Sequence, residues 1–160
     1  FLKTREMKLV LAESCTGGLV GNLITNIPGS SDYYLGSVTA YAYEAKEALL
    51  GVKHETLMKH GAVSRETVLE MASGVRQSLA GGFPLDSIIG VSISGIAGPG
   101  GGLPGKPVGT VWFGMSTPDG NWAWRFVWDG DRIHVKRSAA RMALTLVKKY
   151  LMEDLPPETL

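Results

Sequence analysis

Apolar and polar positions change period several times along the chain, and each change predicts an element. Residues 8–12, KLVLA, form a short apolar run of strand character. Glu13 to Thr16 and the pair Gly17-Gly18 end that run, and LVGNLITNI follows with helical content. The segment therefore predicts strand, tight turn and helix, with Ser14 or Thr16 as the N-cap. PGSSD, residues 28–32, reads as a loop. YYLGSVTAYA, residues 33–42, has the aromatic and β-branched content of a strand, and YEAKEALLGV returns to helix formers that stop at Gly51. Over residues 63–80, Val68, Met71, Ala72, Val75 and Leu79 make one helical stripe behind a start at Ser64.

SIIGVSISGI, residues 87–96, is a buried-type strand, whereas AGPGGGLPGKP, residues 97–107, holds too much glycine and proline for regular structure. VGTVWFGMS and NWAWRFVW, joined by TPDG, predict an antiparallel hairpin. DRIHVKRSAARMALTLVKKYL predicts a long amphipathic helix with Asp131 at its start and lysines near its end. The final PPETL predicts a frayed tail. Helices alternate with strands until the late hairpin, which places the chain in the α/β class. The expected architecture is a three-layer αβα domain with a mixed sheet.

With 160 residues, no internal repeat and no linker, residues 1–160 read as a single domain. The sequence opens at Phe1 within the helix-like FLKTREM, so missing N-terminal residues are expected. A net charge of +1, with both signs scattered, gives no basic stripe and predicts no nucleic-acid partner. One cysteine cannot close an internal disulfide, which suits a reducing compartment. No apolar run reaches the roughly 20 residues of a membrane span, and no signal peptide is visible. The expectation is a soluble, cytoplasmic protein away from membranes. Apolar tryptophans on the hairpin, Trp112, Trp122, Trp124 and Trp128, predict a core or a homodimer interface.

Several motifs are decoys. GGGLPGK, residues 100–106, has the spacing of a phosphate loop, but Pro107 stands where a magnesium-binding hydroxyl is needed, and a strand pattern follows instead of a helix. The G-x-G-x-x-G reading fails for want of the same helix. His54 and His60 lie six apart, not the four that share a helix face, so they read as solvated residues. His134 fits surface or site. No G-x-S-x-G is present, and lysine is the alternative base, because burial disfavours its charged form. Lys46 and Lys106 are the candidates. Ser30 and Ser31 precede the 33–42 strand and Lys46 follows it, so these groups converge only if that strand is short or bent.

Taken together, AESCTGG, PGSSDYYLGSVTAYAYEAK, GAVS, SISGIAGPGGG, KPVGTVWFG and GDR occur in an order and at distances that resemble the CinA C-terminal domain family. This is also called the PncC family of nicotinamide mononucleotide (NMN) deamidases. The resemblance covers about residues 8 to 150 and implies hydrolysis of NMN to nicotinic acid mononucleotide and ammonia. It implies a serine–lysine amidase with no metal and no organic cofactor. It assigns Ser31 as nucleophile, Lys46 as general base and Tyr41 as its helper. Ser14, Thr16, Gly17, Gly18, Ser94 and Arg132 are expected to bind substrate, Arg132 through the phosphate and the Ser14–Gly18 turn through its free N–H groups and hydroxyls. Ala42 and Tyr43 replace the serine–asparagine pair common in the family, and Ser94 replaces a frequent threonine. Two rivals remain: Cys15 as nucleophile with Glu13 and a lysine, and a non-catalytic nucleotide-binding or regulatory domain of a larger CinA-like protein.

Overall fold

A computed structural model describes residues 1–160. Five strands form one sheet in the order β2-β1-β3-β4-β5: β1 Lys8–Glu13, β2 Tyr34–Thr39, β3 Ile88–Gly95, β4 Thr110–Thr117 and β5 Gly120–Val127. β1 runs parallel to both β2 and β3, while β3–β4 and β4–β5 are antiparallel. The sheet is mixed, and the protein is a three-layer αβα domain of the α/β class, as the alternation of patterns predicts.

One face of the sheet carries α1 (Leu19–Thr25) and α5 (Arg132–Leu151), which share a core with Leu9, Leu11, Ile89, Ile93, Phe113 and Trp124. The other face carries α2 (Tyr43–Leu50), α3 (His54–His60) and α4 (Arg65–Ser78), packed on Val10, Ala12 and Ile88. Side-chain oxygens set two helix starts where the sequence places them. Ser64 accepts from the Thr67 N–H, and Asp131 accepts from the His134 N–H at 2.7 Å. Gly51, in the left-handed region at φ 65°, ends α2.

α4 lies unusually close to the sheet. A Cβ on Gly114 would collide with the Val68 carbonyl, and one on Gly90 with the Ala72 carbonyl. The bare backbone lets Ser92 donate to the Val68 carbonyl at 2.5 Å, which ties strand to helix.

The tryptophans take the core alternative expected for them: Trp112 and Trp124 are buried, and Trp122 and Trp128 pack against the core. One expectation about the chain's later half is corrected: the tail is not frayed. The Thr159 N–H donates to the Ala123 carbonyl, Glu158 accepts from the Ala123 N–H, and the Trp124 indole donates to the Pro156 carbonyl. The tail thus covers β5, which would otherwise be an open edge. No helix is long and apolar enough to cross a membrane.

Candidate active site

β1, β2 and β3 run parallel, so their carboxyl ends share one edge of the sheet, where crevices form in folds of this strand order. Glu13 ends β1 and pairs with Thr39 at the end of β2, and its carbonyl accepts from the Ala40 N–H at 2.9 Å. Ser14 follows, its N–H held by the Ile93 carbonyl of β3 at 3.0 Å. Each parallel neighbour therefore fixes the start of the turn after β1.

The turn itself is shaped by Glu13. Its buried carboxylate bends back to accept from the N–H groups of Gly18, Val20 and Gly21 at 2.9 to 3.1 Å. Gly17 and Gly18 sit at φ 62° and 94°, which other residues adopt at a cost, and the Gly17 N–H closes on the Ser14 carbonyl. Neither Ser14 nor Thr16 is the N-cap of α1. Gly18 holds that position, and the carboxylate does the capping that a hydroxyl was expected to do.

Lys46, on the first turns of α2, is fully buried and points into this edge. Its Nζ donates to the Ala40 carbonyl at 2.8 Å, to the Tyr41 carbonyl at 3.0 Å and to Ser14 Oγ at 3.0 Å. Burial pulls its pKa down from 10.5 to about 8. Three acceptors match the three hydrogens of the ammonium. Once a proton leaves, two hydrogens remain for the two carbonyls, and the lone pair faces Ser14. Ser14 keeps 7% of its surface exposed, whereas Lys46 keeps none.

Ser31 is not brought to Lys46. It lies in a single 3-10 turn before β2, exposed, beside the start of β1, where Lys8 donates to the Asp32 carbonyl. Lys46 follows the far end of β2. Six extended residues, about 20 Å, separate the two ends, and the strand is neither short nor bent enough to close that gap. The hydroxyl that meets the lysine is Ser14, which the sequence reading placed only in the binding pocket.

The remaining predicted residues divide. Arg132, at the start of α5, donates to the Gly98 carbonyl at 2.7 Å and to the Tyr41 hydroxyl at 3.0 Å. It thus ties the glycine-rich 97–107 loop to the β2–α2 connection. The Tyr41 phenol has no bond to Lys46 or Ser14, and it is the Tyr41 backbone that holds the lysine. Ser94 is buried and donates to the Ala62 carbonyl at 2.7 Å, so its proton is committed to the α3–α4 connection. The N–H groups of Gly17 and Gly18 are likewise used inside the turn. Those of Cys15 and Thr16 have no carbonyl or carboxylate acceptor, and the buried Thr16 hydroxyl has no partner. The free N–H groups that the sequence reading expects across Ser14 to Gly18 are thus narrowed to these two.

Cys15 is buried, and burial pushes its thiol up to about 12, which keeps thiolate scarce. His54 and His60 pair with Glu47 and Glu66 on exposed helix surface, and no group of three or more metal-ligating side chains forms. Lys106 donates to the His60 carbonyl, away from Ser14.

Fold and site define the class: an αβα domain with a buried amine bonded to a serine hydroxyl at the carboxyl edge of its parallel strands. The chain belongs to the CinA C-terminal domain family, whose sequence profile matches residues 1–151. It is 46% identical over 150 residues to a CinA-like protein of Thermotoga maritima, covering 94% of this chain and 35% of that protein. The chain thus spans about a third of the length of such curated relatives. It is 46% identical over 152 residues to the nicotinamide-nucleotide amidohydrolase PncC of Shigella flexneri, covering 94% of this chain and 88% of that enzyme. Among solved structures, the competence damage-inducible protein A of Klebsiella pneumoniae superposes with a TM-score of 0.87 at 37% identity. That likeness covers 94% of this chain and 90% of the other.

Proposed function

We propose that this domain is an amidase that hydrolyses the carboxamide of NMN, with Ser14 as nucleophile and Lys46 as general base. The observation that carries this reading is the 3.0 Å contact between a buried, pKa-lowered amine and the Ser14 hydroxyl. The likeness to an enzyme named nicotinamide-nucleotide amidohydrolase supports the substrate.

The neutral Lys46 takes the Ser14 proton as Oγ attacks the amide carbon. Negative charge then develops on the carbonyl oxygen, and the N–H groups of Cys15 and Thr16, which bond to no carbonyl or carboxylate, are proposed as its donors. One such donor typically contributes about 10²–10³ in rate. Protonated Lys46 gives its proton to the departing nitrogen, ammonia leaves, and a nicotinoyl ester on Ser14 remains. Water, deprotonated by the same lysine, cleaves the ester and restores the hydroxyl. The Ala40 and Tyr41 carbonyls keep the amine in place through both halves of the cycle, and no step calls for a metal or an organic cofactor.

Tyr41 and Arg132, bonded to each other at 3.0 Å, are proposed to contact the substrate whose amide meets Ser14. Thr16, Gly17, Gly18 and Ser94 are proposed as further binding residues. We place the reaction in the cytoplasm, where pyridine nucleotides are recycled.

An ammonia-release assay on NMN tests the reading. Ser14→Ala and Lys46→Ala are each expected to lower turnover by about 10⁶, the scale on which removal of a nucleophile or its base acts. Ser31→Ala and Cys15→Ala are expected to stay active. Activity in Ser14→Ala with loss in Ser31→Ala would return the reaction to the other serine, and loss in Cys15→Ala alone would give it to the thiol. A second reading, a nucleotide-binding domain without turnover, draws on the longer CinA-like relatives. It predicts NMN binding by calorimetry with no ammonia from the wild type.

A further inference from the structure

Behind the turn after β1 lies a polar cavity of about 360 Å³ between that turn and α5, walled by Thr16, Gly17, Asn22, Lys136 and Arg137 among others. Its charges are one-sided. Lys136 is half-buried, yet its ammonium has no hydrogen-bond acceptor and no carboxylate within ion-pair distance. Arg137, on the next position of α5, is likewise unpaired. Every other cation at this edge is engaged: Lys46 with Ser14 and two carbonyls, Arg132 with Gly98 and Tyr41, Lys106 with His60.

A half-buried ammonium without a partner is left free to make a charge-assisted contact with an incoming anion. The backbone at the start of α1 does not hold that anion, because Glu13 already takes the N–H groups of Gly18, Val20 and Gly21. The side chains on α5 must do so instead. Gly17 marks the junction with the reactive hydroxyl. A Cβ placed there would lie 3.8 Å from Lys136 Nζ, and the Gly17 N–H closes a turn on the Ser14 carbonyl. Ser14 and Gly17 are thus ends of one turn, within about 7 Å of each other. The Thr16 hydroxyl between them is buried and unpartnered.

We infer that this cavity is the phosphate subsite of the domain, with Lys136 and Arg137 binding the phosphate of a mononucleotide whose amide meets Ser14. The inference rests on the amidase reading above and adds the source of its selectivity. A nucleoside or free amide would leave the two cations unpaired, so the phosphate group distinguishes substrate from its dephosphorylated analogue.

The test compares ammonia release from NMN and from nicotinamide riboside in wild type, Lys136→Met, Lys136→Met/Arg137→Met and Lys136→Arg. The preference for NMN over the riboside should fall by about tenfold to a hundredfold in the two methionine variants, the range of a lost charge-assisted contact. The loss should lie in KM more than in kcat, and Lys136→Arg should restore most of it. Unchanged preference in the double variant would overturn the subsite while leaving the amidase intact. If wild type releases no ammonia from NMN, the amidase reading fails, and inorganic phosphate then judges the cavity alone. Phosphate should shift the Gly17 and Gly18 amide resonances of wild type and not those of Lys136→Met. Identical or absent shifts in both would sink it.

Discussion

Lys46 Nζ and Ser14 Oγ meet at 3.0 Å across 32 residues of sequence, because β1 and β2 are adjacent parallel strands and end at the same level. Only the neutral amine can accept the serine proton, and its pKa of about 8 leaves roughly a tenth of it neutral at pH 7. kcat/KM for NMN should therefore rise about tenfold per pH step below 8 and level off above it. A profile flat from pH 6 to 9 would remove the lysine from the proton transfer.

The same shift makes a stability prediction with a defined sign. The unfolded chain holds the Lys46 proton up to about 10.5, whereas the folded chain releases it near 8. Between those values the unfolded state binds more protons, so rising pH favours the fold. Measured by urea titration, wild type should gain stability relative to Lys46→Met between pH 8 and 10.5, on the order of 3 kcal/mol in total. Below pH 8 the difference between the two proteins should be constant.

Glu13 offers a third test. Its carboxylate is the acceptor for three N–H groups of the turn and of α1, all within the fold's interior or its margin. Glu13→Ala strands these donors and should destabilise the fold by about 3 kcal/mol, more than loss of an ordinary helix cap. Glu13→Gln keeps one acceptor oxygen and should lie between. Because Ser14 is the next residue, turnover should fall in both variants even where the fold is retained, which circular dichroism alongside the ammonia assay would separate.

Local signals in the sequence carried most of the fold. Ser64, Asp131 and Gly51 mark helix ends that side chains and backbone settle within a few residues, and the hairpin follows from its own turn. The candidate site was only half legible. Lys46 stood out as a lysine at a strand–helix junction, but its partner could not be read from proximity along the chain. Ser31 is nearer in sequence, yet a fully extended β2 carries it to the opposite edge. Ser14 is found only once β1 is paired with β2 in register, Glu13 beside Thr39, so that the residues following both strands meet. Glu13 was read as a possible partner in catalysis. Its role as a cap depends on a side chain folding back over five to eight residues, which no local propensity encodes.

The close seat of α4 on the sheet gives the last prediction. Gly114 lies in β4 beneath Val68, and any Cβ there would overlap the Val68 carbonyl and press on Ser92 Oγ at 2.6 Å. Gly114→Ala must push α4 outward or bend β4, and the Ser92 bond to Val68 goes with it. Overpacking of this kind commonly destabilises by about 1–3 kcal/mol, and the lost bond places the value at the upper end. Ser14 and Lys46 stand on other elements, β1 and α2, so kcat at a temperature well below the melting point should stay within about twofold of wild type while Tm falls by several degrees. A Gly114→Ala protein as stable as wild type would mean that α4 rides higher above β4 than this packing requires.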